Sequence, residues 1–316
     1  MDVLQKTFSE RNTPASCSGV NTPRDIPQPI PYQGSKRLLA PSILPHFPQD
    51  ASRIVEPFAG SAAITIAAAS GGLAAEFWIN DADTALMDLW RAIIQSPDEI
   101  SDAYSGLWDA QLGNERTFFD QVRARFNKSR RPADFLYLLA RCVKAGIRYN
   151  SNGEFNNTPD NRRKGARPME MRRRIHHASY LLQGHTKITS WDYSKVLEEC
   201  TIEDLVYMDP PYQGVCGNRD QRYLPKFEHR EFCLQLEKLN ERNIRYAVSY
   251  DGRTGNKTYG RPMPDSLQLT RIELRAGRST QATLLGRSDV TYESLYLSPN
   301  LSPSEVLDRD LQMSLW

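Results

Sequence analysis

Cysteine is scarce in this sequence and follows no pattern. Cys17, Cys142, Cys200, Cys216 and Cys233 are scattered, odd in number and form no Cys-x-x-Cys pair. That excludes a disulfide frame and a thiolate zinc site, and it points to free thiols in a reducing compartment. His176, His177, His185 and His229 show no ligand spacing either, so no metal is expected. Long hydrophobic runs are missing too. The most apolar stretch, Ile64 to Ala75, is too short and too glycine-broken to cross a bilayer, and no basic-then-apolar signal pattern opens the sequence. There is no internal repeat and no long low-complexity tract. Neither sign of charge dominates, with 40 basic against 38 acidic side chains in 316 residues. The expectation is a globular, cytoplasmic protein, 40% apolar and long enough for one large domain or two.

The most informative stretch is Tyr207-Met208-Asp209-Pro210-Pro211-Tyr212-Gln213-Gly214. Leu205 to Met208 is a short apolar run after polar residues and reads as a buried strand of an α/β sheet. Two prolines then end it, because neither has an N–H for a ladder and both hold the chain extended. The carboxyl edge of such a sheet is where ligands bind. Asp209, the backbone carbonyls at Pro210 and Pro211, and the ring of Tyr212 are therefore presented together in a stiff frame. That set suits a flat molecule with an exocyclic amino group. An isolated Asp-Pro-Pro-Tyr is also ordinary turn chemistry, so its meaning depends on the stretches that accompany it.

Residues 1–29 are polar and proline-punctuated and read as a loose leader, with order beginning at Ile30. In Tyr32-Gln33-Gly34-Ser35-Lys36 a glycine allows close backbone approach, and Lys36 can reach an anionic group. Ile54 and Val55 form a strand that runs through Glu56-Pro57-Phe58-Ala59-Gly60 into an alanine-rich helix, the first βα unit of a nucleotide-binding sheet. Phe77 to Asn80 is the second strand and ends at Asp81. An acid about 20 residues beyond the glycine turn is suited to two ribose hydroxyls, with a helix N-cap as its alternative role. The turn has fewer glycines than Gly-x-Gly-x-x-Gly, which disfavours a dinucleotide oxidoreductase.

In order and in letters these stretches resemble the Dam-like family of DNA adenine-N6 methyltransferases, from about Ile30 to the end of the chain. Gly34-Ser35-Lys36, Glu56-Pro57-Phe58-Ala59-Gly60, Asp81, a long middle segment and Asp209 to Tyr212 follow one another as in that family. The resemblance implies a Rossmann-like α/β fold with a mostly parallel sheet and an antiparallel hairpin at its end. It also implies S-adenosylmethionine as cofactor, held by Tyr32, Lys36, Glu56, Phe58, Gly60, Asp81 and Asp209, and double-stranded DNA as substrate. A cognate restriction endonuclease is a partner it allows. Two positions depart from the family: Ala62 stands where a second glycine is frequent, and Tyr32 where tryptophan is frequent.

The middle segment, 93–186, is expected to be an inserted, mainly helical DNA-recognition unit, with residues 30–92 and 187–316 forming the catalytic domain. Between Arg123 and Arg174 there are 15 basic against 4 acidic residues, an excess of +11. The whole chain is +2, so the remainder carries −9. Positive charge concentrated in one part marks a polyanion-binding face. Within it, Arg148, Tyr149, Asn150, Asn152, Phe155 and Asn156 surround an Asn-Gly hairpin signal. In the resembled family a similar hairpin enters DNA. Arg162, Arg163 and Lys164 follow, with Arg167 and Arg172 to Arg174, and are expected to meet phosphates. Asp192 suits either a third cofactor contact, to the adenine amine, or a helix cap. Catalytically, Asp209 and a carbonyl at Pro210 would accept the two N6 hydrogens of a flipped adenine while Tyr212 stacks on it. Cytosine N4 or an RNA base would serve the same pocket logic, and a non-catalytic DNA-binding protein on this fold is a more distant alternative.

Overall fold

The computed structural model describes residues 26–211, 227–255, 257–278 and 290–301. Its centre is one sheet built from β1 (Arg53–Glu56), β2 (Glu76–Asn80), β3 (Thr186–Thr189), β4 (Asp204–Met208), β5 (Arg245–Thr254), β7 (Thr270–Arg278) and β8 (Val290–Leu297) in the order β3-β2-β1-β4-β5-β8-β7; the short β6 (Lys257–Tyr259) pairs with the end of β5. The pairs from β3 through β5 are parallel, and β8 runs antiparallel to both β5 and β7. This is a Rossmann-like sheet with an antiparallel end. The strand order reverses between β1 and β4, and the crevice of a doubly wound sheet lies above such a point.

The central strands read as unbroken apolar runs because both of their faces are covered. Alternation shows this residue by residue. Ile54, Leu205 and Tyr207 point into one core, whereas Val55, Val206 and Met208 point into the other. Helices α1 (Ala40–Ile43), α2 (Ala63–Ser70), α3 (Thr84–Gln95) and α7 (Pro168–Leu182) cover the first face, and α8 (Tyr193–Glu198) and α9 (His229–Glu241) cover the second. Each large side chain so buried contributes about 1.5–3 kcal/mol relative to exposure.

Between α3 and α7 lie α4 (Pro97–Ala110), α5 (Glu115–Ser129) and α6 (Pro132–Arg141). Their apolar faces are continuous with the sheet's first core, from Trp90 through Tyr104 to Phe126 and Phe135. Asp134, 0% exposed on α6, is held by a two-pronged ion pair from Arg125 on α5, with N–O distances of 2.6 and 2.8 Å. Packing also reaches residues before Ile30, within the stretch expected to be a loose leader. Ile26 is 2% exposed, and its carbonyl accepts a 2.7 Å hydrogen bond from Arg37 Nε.

Candidate active site

Four loops meet at the carboxyl edge of the sheet. The first follows β4, where Asp209 sits beyond the wholly buried Asp204–Met208 and the chain leaves the sheet at Pro210 and Pro211. Asp209 Oδ1 lies 3.0 Å from Lys36 Nζ, so the Gly-Ser-Lys loop and the Asp-Pro-Pro turn, 173 positions apart in sequence, share one ion pair. Lys36 is only 7% exposed and also meets Glu293 of β8 at 3.2 Å. Gly34, at φ +88°, gives the bend that brings Lys36 inward. Tyr212 lies outside the described residues, as does most of the polar stretch Gln213 to Phe227.

The second loop follows β1. Gly60 has φ +49°, and a Cβ there would sit 2.9 Å from a ring carbon of Tyr32, so Tyr32 lies flat against a position only glycine can occupy. The carbonyl of Gly60 is held by the buried Trp90 indole at 2.9 Å. Ala62, where the resembled family frequently has glycine, adopts φ +46° and ψ +36° at the start of α2. The departure in sequence is thus accommodated by a left-handed alanine, at a cost of roughly 1–2 kcal/mol. Glu56 turns beneath the loop. It is 3% exposed, its Oε2 accepts from the Thr65 N–H at 3.0 Å and from the Thr65 hydroxyl, and burial pushes its pKa up to about 8.

The third loop follows β2. Asp81 accepts from Gly60 N–H on one oxygen at 3.1 Å and from Asp83 N–H on the other at 3.0 Å. Burial pushes its pKa up to about 6, against these two hydrogen bonds. The helix-cap alternative for this acid belongs to its neighbour: Asp83, not Asp81, caps α3 through Leu86 N–H at 3.2 Å. The fourth loop follows β3, where Asp192 takes up the cap alternative and accepts from Ser194 N–H at 2.9 Å and its hydroxyl at 2.6 Å. Asp192 still borders the cleft, next to an aromatic wall in which Phe58 packs 5.0 Å from Tyr193 and 6.2 Å from Phe232.

One functional residue escaped sequence reasoning. Asn80, 0% exposed at the end of β2, donates to the carbonyls of Pro57 and Trp191 at 3.0 Å each and accepts from Trp191 N–H at 2.8 Å. It ties three loops together, and its only signal is a polar residue closing an apolar strand. The resulting cleft of about 1580 Å³ is bordered by Tyr32, Lys36, Gly60, Asp81 and Asp209. A buried cation, an acid at the second strand end and an aromatic ring against a glycine turn give the cleft groups that can meet an anion, hydroxyls and a flat ring. Among the described residues no cluster of three or more potential metal ligands occurs.

The rim is formed by the Arg148–Asn156 hairpin. Asn150 N–H to Glu154 O and Asn156 N–H to Arg148 O pair its arms, and Gly153 at φ +72° closes the turn. Arg148, Asn152 and Asn156 are exposed, and Asn150 Oδ1 is used inside the turn. Phe155 corrects the expectation of a DNA contact. It is 1% exposed, packed edge-on to Phe126 and Phe135, and its backbone is clamped by Asn127, so it roots the hairpin in the core. Of the basic residues, Arg163 pairs with Asp160 at 3.0 Å, Lys164 with Glu115 at 2.7 Å, Arg172 with Asp98 and Asp102, and Arg173 and Arg174 with Glu170. Lys128, Arg131, Arg148, Arg162 and Arg167 are exposed and form no ion pair among the described residues.

A Rossmann-like sheet with a cleft over its switch point and an Asp-Pro-Pro turn at β4 is the arrangement of a nucleotide-type ligand-binding α/β protein. The comparisons make the class narrower. The model of the D12 class N6 adenine-specific DNA methyltransferase family matches residues 32–274, and the chain belongs to that family. It is 26% identical over 266 residues to modification methylase StsI of Streptococcus sanguinis, covering 78% of this chain and 39% of that protein. It is also 26% identical to type II methyltransferase M1.LlaDCHI of Lactococcus lactis subsp. cremoris, over 57% of this chain and 64% of that one, and to the retron Ec67 DNA adenine methylase of Escherichia coli, over 58% and 63%. The chain thus spans from about two fifths to just under two thirds of these relatives.

Proposed function

We propose that the chain transfers a methyl group from S-adenosylmethionine to the N6 amino group of adenine in double-stranded DNA. The observation that carries this reading is the Lys36–Asp209 ion pair at 3.0 Å, which places the Asp-Pro-Pro turn in one cleft with Gly60 and Asp81. When bound, S-adenosylmethionine supplies an electrophilic methyl group. The chain's residues supply the rest. Asp81 faces the sugar hydroxyls, Tyr32, Phe58 and Gly60 provide its flat walls, Lys36 faces the amino-acid end, and Asp192 keeps one carboxylate oxygen for the base. Adenine N6 is a poor nucleophile because its lone pair is delocalised into the ring. Asp209 Oδ2 and the Pro210 carbonyl accept the two N6 hydrogens and draw them out of plane, with Tyr212 assigned to stack on the base. An adenine inside a duplex cannot reach that position, so it is extruded, with the unstacking cost offset in the pocket.

The helical segment 93–186 acts as the recognition unit, between catalytic segments 30–92 and 187–316. Arg148, Asn150, Asn152, Asn156, Arg162, Arg163 and Lys164 face the DNA. The internal ion pairs of Arg163 and Lys164 do not oppose this, since exposed pairs contribute only about 0–1 kcal/mol and can be exchanged for phosphate. The names of two relatives, modification methylase and type II methyltransferase, support a role in DNA modification, and a cognate endonuclease and a cytoplasmic place of action belong to the same proposal. In the test, radiolabelled cofactor and duplex DNA are incubated with the parent protein and Asp209→Ala, and product nucleosides are resolved by mass. Methyl transfer to N6-adenine that disappears in Asp209→Ala is the expected result. Transfer at the parent rate in the variant would remove Asp209 from the reaction, and N4-methylcytosine as product would change the substrate.

A further inference from the structure

Tyr149 is a conspicuous choice for a DNA contact, yet its hydroxyl is spent elsewhere. It donates a 2.8 Å hydrogen bond to Asp83 Oδ2, across 66 residues of sequence, from the recognition hairpin to the loop after β2. Asp83 is joined in turn to the cofactor side of the cleft, because its N–H is held by Asp81 Oδ1, and Asp81 Oδ2 holds Gly60 N–H. The other end of the link is equally fixed. The Tyr149 ring packs edge-on to Phe155, and Arg130 lies over its face at 5.6 Å while donating to the Gly153 carbonyl at the hairpin tip. Hydrogen bonds therefore run from Gly60 through Asp81 and Asp83 to Tyr149, and Arg130, lying over the Tyr149 ring, carries the link on to the hairpin turn through the Gly153 carbonyl. The set is shielded at its middle: burial raises the pKa of Asp83, while the Tyr149 hydrogen bond acts to lower it.

We infer that Tyr149 is a positioning residue that couples cofactor binding to the hairpin's engagement of DNA. The inference rests on the proposed function. An occupant that takes up Asp81 fixes the 81–83 turn, and with it the orientation of the acceptor that holds Tyr149. The hairpin tip, with exposed Asn152 and the unpaired Arg148 beside it, is then held in place before DNA arrives. Ordering paid for by the first ligand is not paid again by the second, which makes the two bind cooperatively, and linkage makes the effect reciprocal. Couplings of this kind are about fivefold or more in affinity.

The experiment titrates fluorescent random-sequence duplex DNA with the full chain, with and without saturating S-adenosylhomocysteine, and separately titrates S-adenosylhomocysteine alone. In the parent, duplex affinity should rise about fivefold or more with the analogue. Tyr149→Phe, which removes one oxygen, should reduce that ratio to less than about twofold. Asp83→Asn should keep most of it, because the amide still accepts from Leu86 N–H and can donate to the Tyr149 oxygen. An unchanged ratio in Tyr149→Phe overturns the inference. So does loss of analogue binding by Tyr149→Phe in the absence of DNA, which would make the contact structural. A parent that binds both ligands without coupling refutes this inference alone, whereas a parent that binds neither refutes the proposed function as well.

Discussion

Replacing Glu56 by glutamine should stabilise the protein at neutral pH and remove a pH dependence of folding. The carboxyl is buried under the glycine turn, and its pKa is pushed from the ordinary 4.5 up to about 8, chiefly by desolvation and further by the nearby Asp209 charge. In the unfolded chain Glu56 ionises near 4.5, whereas the folded state keeps the proton to about 8. Between these values the folded state binds more protons, so stability is fully present below about 4.5 and is lost as pH rises toward 8. At about 1.36 kcal/mol per pH unit, the loss at pH 7 is about 3 kcal/mol. Glutamine is neutral at every pH, and its amide oxygen can take the same two hydrogen bonds from Thr65. Thermal unfolding of parent and Glu56→Gln across pH 5 to 8 tests this. The parent should lose stability on going up through the range, and the variant should melt higher at pH 7, by on the order of 5 °C. Parallel profiles for the two proteins would mean that Glu56 is ionised in the fold and that the burial argument is wrong.

Other substitutions probe separate steps. Gly60→Ala forces a methyl to within 2.9 Å of the Tyr32 ring at φ +49°, and calorimetric titration should show at least tenfold weaker cofactor binding, about 1.4 kcal/mol. Arg125→Ala strands the buried Asp134 carboxylate and should cost about 3–5 kcal/mol in denaturant unfolding, whereas removing both partners together should cost less. Replacing Arg162, Arg163 and Lys164 by alanine should weaken DNA binding and flatten its salt dependence, with cofactor affinity nearly unchanged; a salt slope equal to the parent's would place them away from phosphates.

Much of the fold was legible because its strands obey simple rules. Continuous apolar runs at Leu205–Met208 and Phe77–Ile79 could only be strands covered on both faces, and the two prolines after Asp209 fixed where one of them ends. The loops were legible where a residue type is compulsory, as at Gly34 and Gly60. Legibility failed where a residue has two plausible uses and only packing chooses. Asp192 is suited to a cap or to a ligand, and it caps; Phe155 has the composition of a DNA-entering tip, but three aromatic rings draw it into the core. Charge counting over-reached for a related reason. The +11 segment faces acids that lie outside its own bounds, namely Asp98, Asp102, Glu115 and Asp120, and no count along the chain can show which acids fold against it.

The same contrast explains why the cleft depends on a residue that no motif contains. In the described part of each of the four loops proline, glycine or a capping acid sets the local path, but a local path does not set a loop's distance from the others. Asn80 does that for three of them by filling both ends of one amide with backbone partners from Pro57 and Trp191, in a place where an unmet partner would cost about 1–3 kcal/mol. The Lys36–Asp209 pair does it for the fourth, and charge rather than shape chooses that partner. A site assembled this way fails by parts. Losing the lysine should detach the Asp-Pro-Pro turn from a cleft that still holds its nucleoside end, whereas losing the asparagine should loosen the nucleoside end while the ion pair persists.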